Sequence, residues 1–544
     1  MNAPMSALAR LALYAAVTFL APLARSQGVL EVDVVDSRKQ PLPCRAWVST
    51  GGMQHFEPVS PATPYHRDRS FSCDGSFTMR LPTGPASIHV EKGKEWLPVN
   101  QPVSILTGQT NRISIVLRRW VDMPREDWFS SDLHVHFGHD QPVVLRQLAL
   151  ADDVHVVPAF SAWLRGTETA WPEAWPKWET GPVIKVDSTH IITRNNMEIE
   201  RIGRMSGPGG SVGATFLYNL DRPIYTDHFD RFFPTDATLA LTARGLSRKA
   251  VVDTDKPSWA ETTVGAALGV YDTAQVCHNH YHRDKTLAGG WGMIGLLAPD
   301  EKPLTEPDEL FRRTNKQYYR WLNCSIRMGV SGGSAMGVMS VPLGYNRTYA
   351  KVSGWFTASK YWAAVKAGKT FATSGPMIDM TLDRKGVGET IKIRSRDNRR
   401  LTLQMHLRSA QQLASLELVH NGGVIYGEPL SAKKADPTFE VKKAVAVVPT
   451  RSGWYCARAI FRAPDGRLRQ AHTSPIYVIV DGKPIAAKAD AEYNVRWIDK
   501  LIEVAKHPDR FASDEDRDQV LAIYGTARDY YLEIAQLATR HWGD

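Results

Sequence analysis

The segment Ser131–Asp140, SDLHVHFGHD, gathers three histidines and two aspartates into ten residues. On an extended strand, residues i and i+2 project to one face, so His134 and His136 can direct both imidazoles at one point. Two neutral imidazole nitrogens converging in this way are what a divalent metal ion requires. An isolated H-x-H is equally compatible with a polar strand end, so the surrounding chain has to decide. No C-x-x-C pair accompanies it, which argues against a zinc knuckle.

The elements that must hold these histidines fall into blocks. Residues 28–119 alternate apolar and polar (LEVDVV, CRAWVS, SFTMRLP, ASIHVEKG) with turn residues between, the pattern of a small antiparallel β-sandwich. Over 120–380, short apolar strands (HVVPAF, ATFLYNL, AQVCHNH) interleave with helical spacing at Pro142–Ala151, Ser258–Leu268, Thr305–Leu322 and Ser359–Ala367. That alternation predicts a multidomain α/β plus β chain whose middle is a βα barrel or layered sheet with polar residues at the strand ends. Alternation returns over 381–485 (LTLQMHLRS, SLELVHNGGVIY, GWYCARAIFR), predicting a second β-sandwich. Residues 486–544 carry two helical stretches, Ala489–Lys506 and Asp514–Thr539, the second with Asp514 as a candidate N-cap.

Bulk properties narrow the function classes. A chain of 544 residues has room for about three to four domains. Its formal charge of +9 is dispersed, with short basic clusters only at Lys392–Arg400 and Arg118–Arg119, so nucleic-acid binding is not expected. Residues 1–26 carry Arg10, an apolar run over Leu11–Leu23 and small residues before Gln27, the form of a secretory signal peptide. This predicts a periplasmic or secreted protein with no stable membrane span after cleavage. Export permits disulfides. With five cysteines at least one stays unpaired, and Cys44 with Cys73, both in the first β-rich block, is the expected pair. Cys277, Cys324 and Cys456 are read as buried thiols.

Several motifs recur in a distinctive order. A W-x-S-x-D-L-H-V-H segment (Trp128–His136) is followed by ALADDVHVV (Ala149–Val157), NNMEIERIG (Asn195–Gly203), DKPSW (Asp255–Trp259) and CHNHYH (Cys277–His282). LNCSIRMGVSGGSAMGV (Leu322–Val338), LGYNRTYAKV (Leu343–Val352) and AGKTFATSGPMI (Ala367–Ile378) close the series. Across about 120–380 this chain resembles the CehA/McbA-type metallohydrolases of the polymerase-and-histidinol-phosphatase (PHP) superfamily. The 28–119 block resembles carboxypeptidase-regulatory-like domains.

The resemblance implies a distorted PHP-type (β/α) barrel flanked by two β-sandwiches, holding divalent zinc, manganese or iron, and a metal-bound hydroxide attacking an ester, whether phosphoester, carbamate or related. It implies His134, His136, Glu198 and His280 as metal ligands, with Asp140, Glu200 and His278 as weaker candidates. Two departures limit this. PAFSAW (Pro158–Trp163) lacks the Thr-Asp-His of the family, and GGSAMG (Gly332–Gly337) keeps Gly-Ser but lacks the following Asp and His. One ion, or two, is therefore expected rather than three.

Competing readings stay open at particular residues. Glu198 can equally form a buried ion pair with Arg201. His139, His155 and His282 are expected to support the site or lie at the surface, and His472 to be structural. Arg283 and Arg347 are candidate cations for an anionic ester substrate. The Trp163–Trp178 run suits either glycan stacking or a loop pinned over the barrel mouth, and the pinned loop is preferred. The rival to a hydrolase is a non-catalytic periplasmic binding or scaffold protein on a degenerate PHP fold, glycan-related if the tryptophans are exposed.

Overall fold

The computed structural model of the chain describes residues 26–51, 54–59, 66–165, 172–201, 212–226, 232–283, 307–410, 415–430, 438–462, 468–507 and 511–543. Apart from Ser26, the expected leader over 1–26 lies outside them, as do residues 166–171 of the Trp-rich run. No described helix is long and apolar enough to cross a membrane. The chain divides into two compact units, one of residues 1–92 with 98–118 and one of 93–97 with 119–544.

In the first unit, Gln27–Val35 pairs antiparallel with Ser76–Pro82 and parallel with Thr110–Val116. A second sheet is built around Cys44–Thr50 and Gly84–Glu91. The period-two pattern has the expected consequence: Leu30, Val32 and Val34 on one sheet and Ala46, Val48 and Ile88 on the other are buried. Phe71 and Phe77, one from each sheet, meet edge-on at 4.8 Å. Cys44 and Cys73 sit directly opposite one another in their ladder, both buried, with Sγ atoms 3.5 Å apart in a thiol hydrogen bond and not joined as a disulfide.

The second unit is a mixed α/β body of several sheets. A twelve-stranded sheet carries, in order along one stretch, Val156–Pro158, Trp128–Ser131, Arg347–Lys351, Thr370–Thr373, Leu468–Thr473 and Gly453–Arg462. One continuous ladder therefore joins strands from the 120–380 block to strands from the 381–485 block. A four-stranded sheet containing Met377–Leu382, Leu401–Ser409 and Phe439–Val447 shares a core with it through Leu403, Met405, Leu418 and Ala457.

The strands that matter for the histidines form a six-stranded sheet in the order Ala162–Leu164, Met197–Glu200, Ala214–Tyr218, Val251–Thr254, Thr273–Cys277, Gly329–Gly332. Its pairing does not close into a barrel. A barrel closed by helical crossovers needs parallel neighbours, whereas Ala214–Tyr218 runs antiparallel to the strands on both of its sides. Single bridges join Val135 to Ala159, just before the first strand of the sheet, and to Met336, just after its last.

The expected helices appear at Pro142–Ala151, Thr262–Ala267 (shorter than the Ser258–Leu268 the spacing predicts), Pro307–Leu322, Ala358–Lys366, Lys488–Ala505 and Asp514–Trp542, and a further helix, Asp236–Leu246, lies outside the predicted set. The last is capped by Ser513, whose hydroxyl accepts the Asp516 N–H, and not by Asp514. Asp514 is instead the first helical residue, where an acidic side chain favours the positive end of the helix dipole. Trp497 Nε1 donates to Ala260 O at 2.8 Å and Tyr531 to Thr263 O at 3.0 Å, fastening both C-terminal helices against the Thr262–Ala267 helix.

The opposed Cys44 and Cys73 thiols generate a prediction. Under mild oxidation the purified chain should lose two mass units from a peptide pair containing both residues, read by non-reducing peptide mapping. Cys73→Ser should abolish that product and lower stability of the oxidised protein by about 3 kcal/mol, the scale for closing a loop of this size.

Candidate metal centre

Position of the H-x-H pair is set by the residue before it. Asp132 is fully buried and accepts three backbone N–H groups, from His134 at 3.1 Å, Ser334 at 2.8 Å and Gly344 at 2.8 Å. One carboxylate thus ties the H-x-H segment to the GGSAMG and LGYN segments. Burial pushes its pKa up to about 7, against the three N–H bonds that pull it down. On the other side of the chain, Leu133 O accepts from Tyr218 and, at 3.0 Å, from Gln275 Nε2. Gly333 is needed for the close approach: a Cβ there would lie 2.5 Å from His134 Cβ.

Glu198 comes from the sheet. Trp163, Glu198, Phe216 and Asp253 are directly opposite one another on four adjacent strands, so they share a face. Rings from that face hold the histidines: His134 packs on Phe216 at 4.5 Å and His136 on Trp163 at 4.2 Å.

Three of the expected ligands meet. His134 Nε2 is 2.9 Å from His136 Nε2, and Glu198 Oε2 is 3.6 Å and 3.1 Å from those nitrogens. A tetrahedral ion with bonds of about 2.1 Å spaces its ligand atoms roughly 3.4 Å apart, close to this triangle. Buried polar atoms in and around this triangle are left unsatisfied. Glu198 Oε2, Asp255 Oδ1 and both Nδ1 atoms of His134 and His136 are buried with no hydrogen-bond partner. Burial, then the charge of Lys256, holds His134 well below the usual imidazole range, and burial does the same to His136. Both rings are therefore neutral donors. Burial, then Glu200 and Asp255, drives Glu198 well above the carboxylate range, a strain that a bound cation relieves. This buried cluster can hold a metal ion.

The other candidates fall at different distances from it. Glu200, on the Glu198 strand, is 9% exposed and stands 3.8 Å from Arg165 Nε. His278 and His280 follow the Thr273–Cys277 strand, both buried, with ring centroids 5.2 Å apart. His278 Nε2 lies 3.3 Å from Thr314 Oγ1. Neither belongs to the three-atom cluster, though burial, Lys256, His278 and His134 together lower His280. Asp140 is exposed just before the Pro142–Ala151 helix, where its charge acts on His139 and Arg194. Glu198 is not the partner of Arg201: that guanidinium binds Asp236 at 2.7 Å and Glu261 in a closer contact.

Arg347 is not a cation at an open mouth. It is 1% exposed and spent on backbone carbonyls, donating to Gly344 O at 2.6 Å and Asp153 O at 2.7 Å and also to Asp152 O. The cations near the cluster are Arg165 and Lys256. Lys256 and Asp255 were not singled out as site residues in the sequence, although both stand in the DKPSW motif at the end of an apolar strand. His472 is buried and bonded to Tyr319 at 2.7 Å.

A second group, Asp153, His155 and His190, also brings three ligand-type atoms within 4.8 Å. Its hydrogen bonds do not suit a metal. Ser130 N–H donates to His155 Nδ1 at 3.0 Å, so a neutral His155 carries its proton on Nε2 and offers no lone pair there. Burial pulls His190 down, but its hydrogen bonds with Asp153 and Asp187 outweigh this and raise it. The charged form is no ligand.

No protein-family model matches the chain, and no curated protein matches it. Among solved structures, the minor pilin GBS52 of Streptococcus agalactiae is 15% identical, with a TM-score of 0.15, over 18% of this chain and 46% of that one. The Bacillus anthracis TIE protein is 8% identical, with a TM-score of 0.14, over 84% of this chain and 50% of that one. The chain spans about half the length of both.

The carboxylate tie at Asp132 can be tested directly. Asp132→Asn forces an amide N–H against a backbone N–H donor in the interior. Urea unfolding should show a loss of about 2–3 kcal/mol, the scale of a charged hydrogen bond replaced by an unsatisfied donor. An unchanged midpoint would remove Asp132 from its organising role.

Proposed function

We propose that this protein is an exported, metal-dependent hydrolase of the PHP type, acting on an ester of a small, anionic molecule in the periplasm or outside the cell. The observation that carries the reading is the meeting of His134 Nε2, His136 Nε2 and the buried, otherwise unbonded Glu198 Oε2 at ligand-to-ligand distances of one another.

His134, His136 and Glu198 would hold a divalent zinc, manganese or iron ion, singly or as a pair, and such an ion would supply an acidified water and polarisation of the scissile oxygen. The chain supplies the rest. Phe216 and Trp163 brace the two imidazoles and keep bulk water from their faces. Asp132 and Leu133 O fix the backbone on either side of His134, so the imidazole pair is set before substrate arrives. Glu198 carries the charge that matches a cation. Lys256 and Arg165 place positive charge beside the cluster, as an anionic ester requires.

Elemental analysis after gentle purification should find zinc, manganese or iron. His134→Ala and His136→Ala should each lose the metal and abolish turnover in a screen of phosphoesters and activated aryl esters supplied with manganese or zinc. Ser334 is tied to the loop by accepting the Asn346 N–H at 2.9 Å. Ser334→Ala should cost only about 10-fold, the scale for a supporting hydrogen bond. Metal content near zero with no turnover on any ester would leave the binding-protein reading in its place.

A chelator should lower the thermal midpoint of the second unit, since an ion that binds only the folded state stabilises it by mass action. A calorimetric trace indifferent to chelator would count against the centre.

A further inference from the structure

His134 has two ring nitrogens, and the metal centre uses only one of them. Nε2 faces His136 and Glu198. Nδ1 is buried with no hydrogen-bond partner. Asp255 Oδ1 stands 3.6 Å from it, and that oxygen is likewise buried without a partner. Two orphaned polar atoms thus face one another, one able to donate and the other, as a carboxylate oxygen, able to accept. The gap is roughly half an ångström longer than an N–H···O hydrogen bond of about 3 Å. Hydrogen bonds at reactive centres are often long before a ligand binds and tighten on loading.

The carboxylate is held from behind. Its other oxygen, Oδ2, accepts the Trp259 indole N–H at 2.8 Å and the Lys256 ammonium. Asp255 and Trp259 are both buried. The turn that carries them is itself pinned: Trp259 N–H donates to Lys256 O at 3.0 Å, and Thr262 Oγ1 donates to Trp259 O at 2.7 Å. With Oδ2 taken by two donors, Oδ1 is the oxygen left for the imidazole. The His134 ring also packs on Phe216 at 4.5 Å, which limits its freedom to turn away.

We propose that Asp255 is a positioning residue of the metal centre: its Oδ1 keeps the His134 proton on Nδ1 and so leaves the Nε2 lone pair for a divalent cation. This assignment rests on the metal-centre reading above and deepens it. A carboxylate behind a metal-binding imidazole fixes the tautomer and the direction of the ring and makes it a stronger donor. An Asp255 that serves only Lys256 and Trp259 would leave metal affinity unchanged as long as an acceptor for those two remains. Asp255→Asn separates the two roles. Its amide oxygen still accepts from Lys256 and Trp259, which turns the amide NH2 toward His134 Nδ1. That nitrogen must then accept, so the ring proton moves to Nε2 and the lone pair for the metal is lost.

The experiment measures zinc affinity of the chelator-stripped full-length protein by competition with a chromophoric chelator, with folding checked by circular dichroism. His136→Ala sets the background from surface sites. Asp255→Ala should weaken binding by about 10–100-fold, the scale for losing such a partner. Asp255→Asn should weaken it at least as much, and Asp255→Glu should recover part of the loss. Wild-type affinity in folded Asp255→Asn or Asp255→Ala would overturn the proposal. If those variants do not fold, nitrogen-15 NMR of the histidine-labelled, zinc-loaded wild type decides. There His134, identified by the resonances missing from His134→Gln, should carry its proton on Nδ1, and a proton on Nε2 would overturn the proposal equally. A wild type with no zinc above background would instead overturn the metal centre itself.

Discussion

The buried carboxylate of Asp132 is the interaction on which the centre depends. It receives N–H groups from three segments far apart in sequence, at His134, Ser334 and Gly344. A carboxylate without these donors could not be buried at such low cost. The three loops without the carboxylate would leave N–H groups orphaned in the interior. Each side therefore requires the other, and the H-x-H pair inherits a backbone with little freedom. The glycine at 333 belongs to the same arrangement, because any side chain there would displace His134.

Around that anchor the site concentrates negative charge in a dry place. Glu198, Glu200 and Asp255 are all buried, and the chain answers with Lys256 and a partly exposed Arg165. Desolvation dominates at Glu198, which is why its carboxyl is pushed so far upward. The imidazoles respond in the opposite sense and stay neutral. A folded protein rarely keeps unpaired buried acceptors unless something positive is meant to meet them. The nearby Asp153–His155–His190 group is the instructive contrast. It has the same residue types at similar spacing, but the Ser130 N–H takes the lone pair of His155 Nδ1, and hydrogen bonds to Asp153 and Asp187 favour the protonated form of His190.

The arginines repeat the lesson. Arg201 and Arg347 both lie inside motifs that look functional, and both are fully committed to the scaffold. Arg201 ties Asp236 and Glu261, and Glu261 in turn meets Tyr524 of the C-terminal helix. Arg347 knits backbone carbonyls at the end of the Pro142–Ala151 helix and the loop before its own strand. Buried guanidiniums suit such roles because five rigid donors can satisfy several carbonyls at once.

The sequence by itself determined whatever depends on local periodicity. Alternation over 28–119 and 381–485 specified strands, and apolar helical spacing placed Pro142–Ala151 and the two C-terminal helices within a few residues. The i,i+2 rule was enough to put His134 and His136 on one face, and the motif resemblance brought Glu198 to them. Tertiary structure alone decided the rest. Asp255 and Lys256 stand in the DKPSW motif but show no ligand spacing of their own, and only the packing of the Val251–Thr254 strand beside Ala214–Tyr218 brings Asp255 to His134. Asp140 is adjacent to the H-x-H pair yet faces solvent, because it lies in the turn that leads into the Pro142–Ala151 helix. Whether the strands close into a barrel was equally illegible: alternation of strand and helix is the same for parallel and antiparallel neighbours, and strand direction is set by long-range pairing. The same limit governed Arg347 and Arg201, whose charge is plain in sequence but whose partners come from segments that only folding brings together.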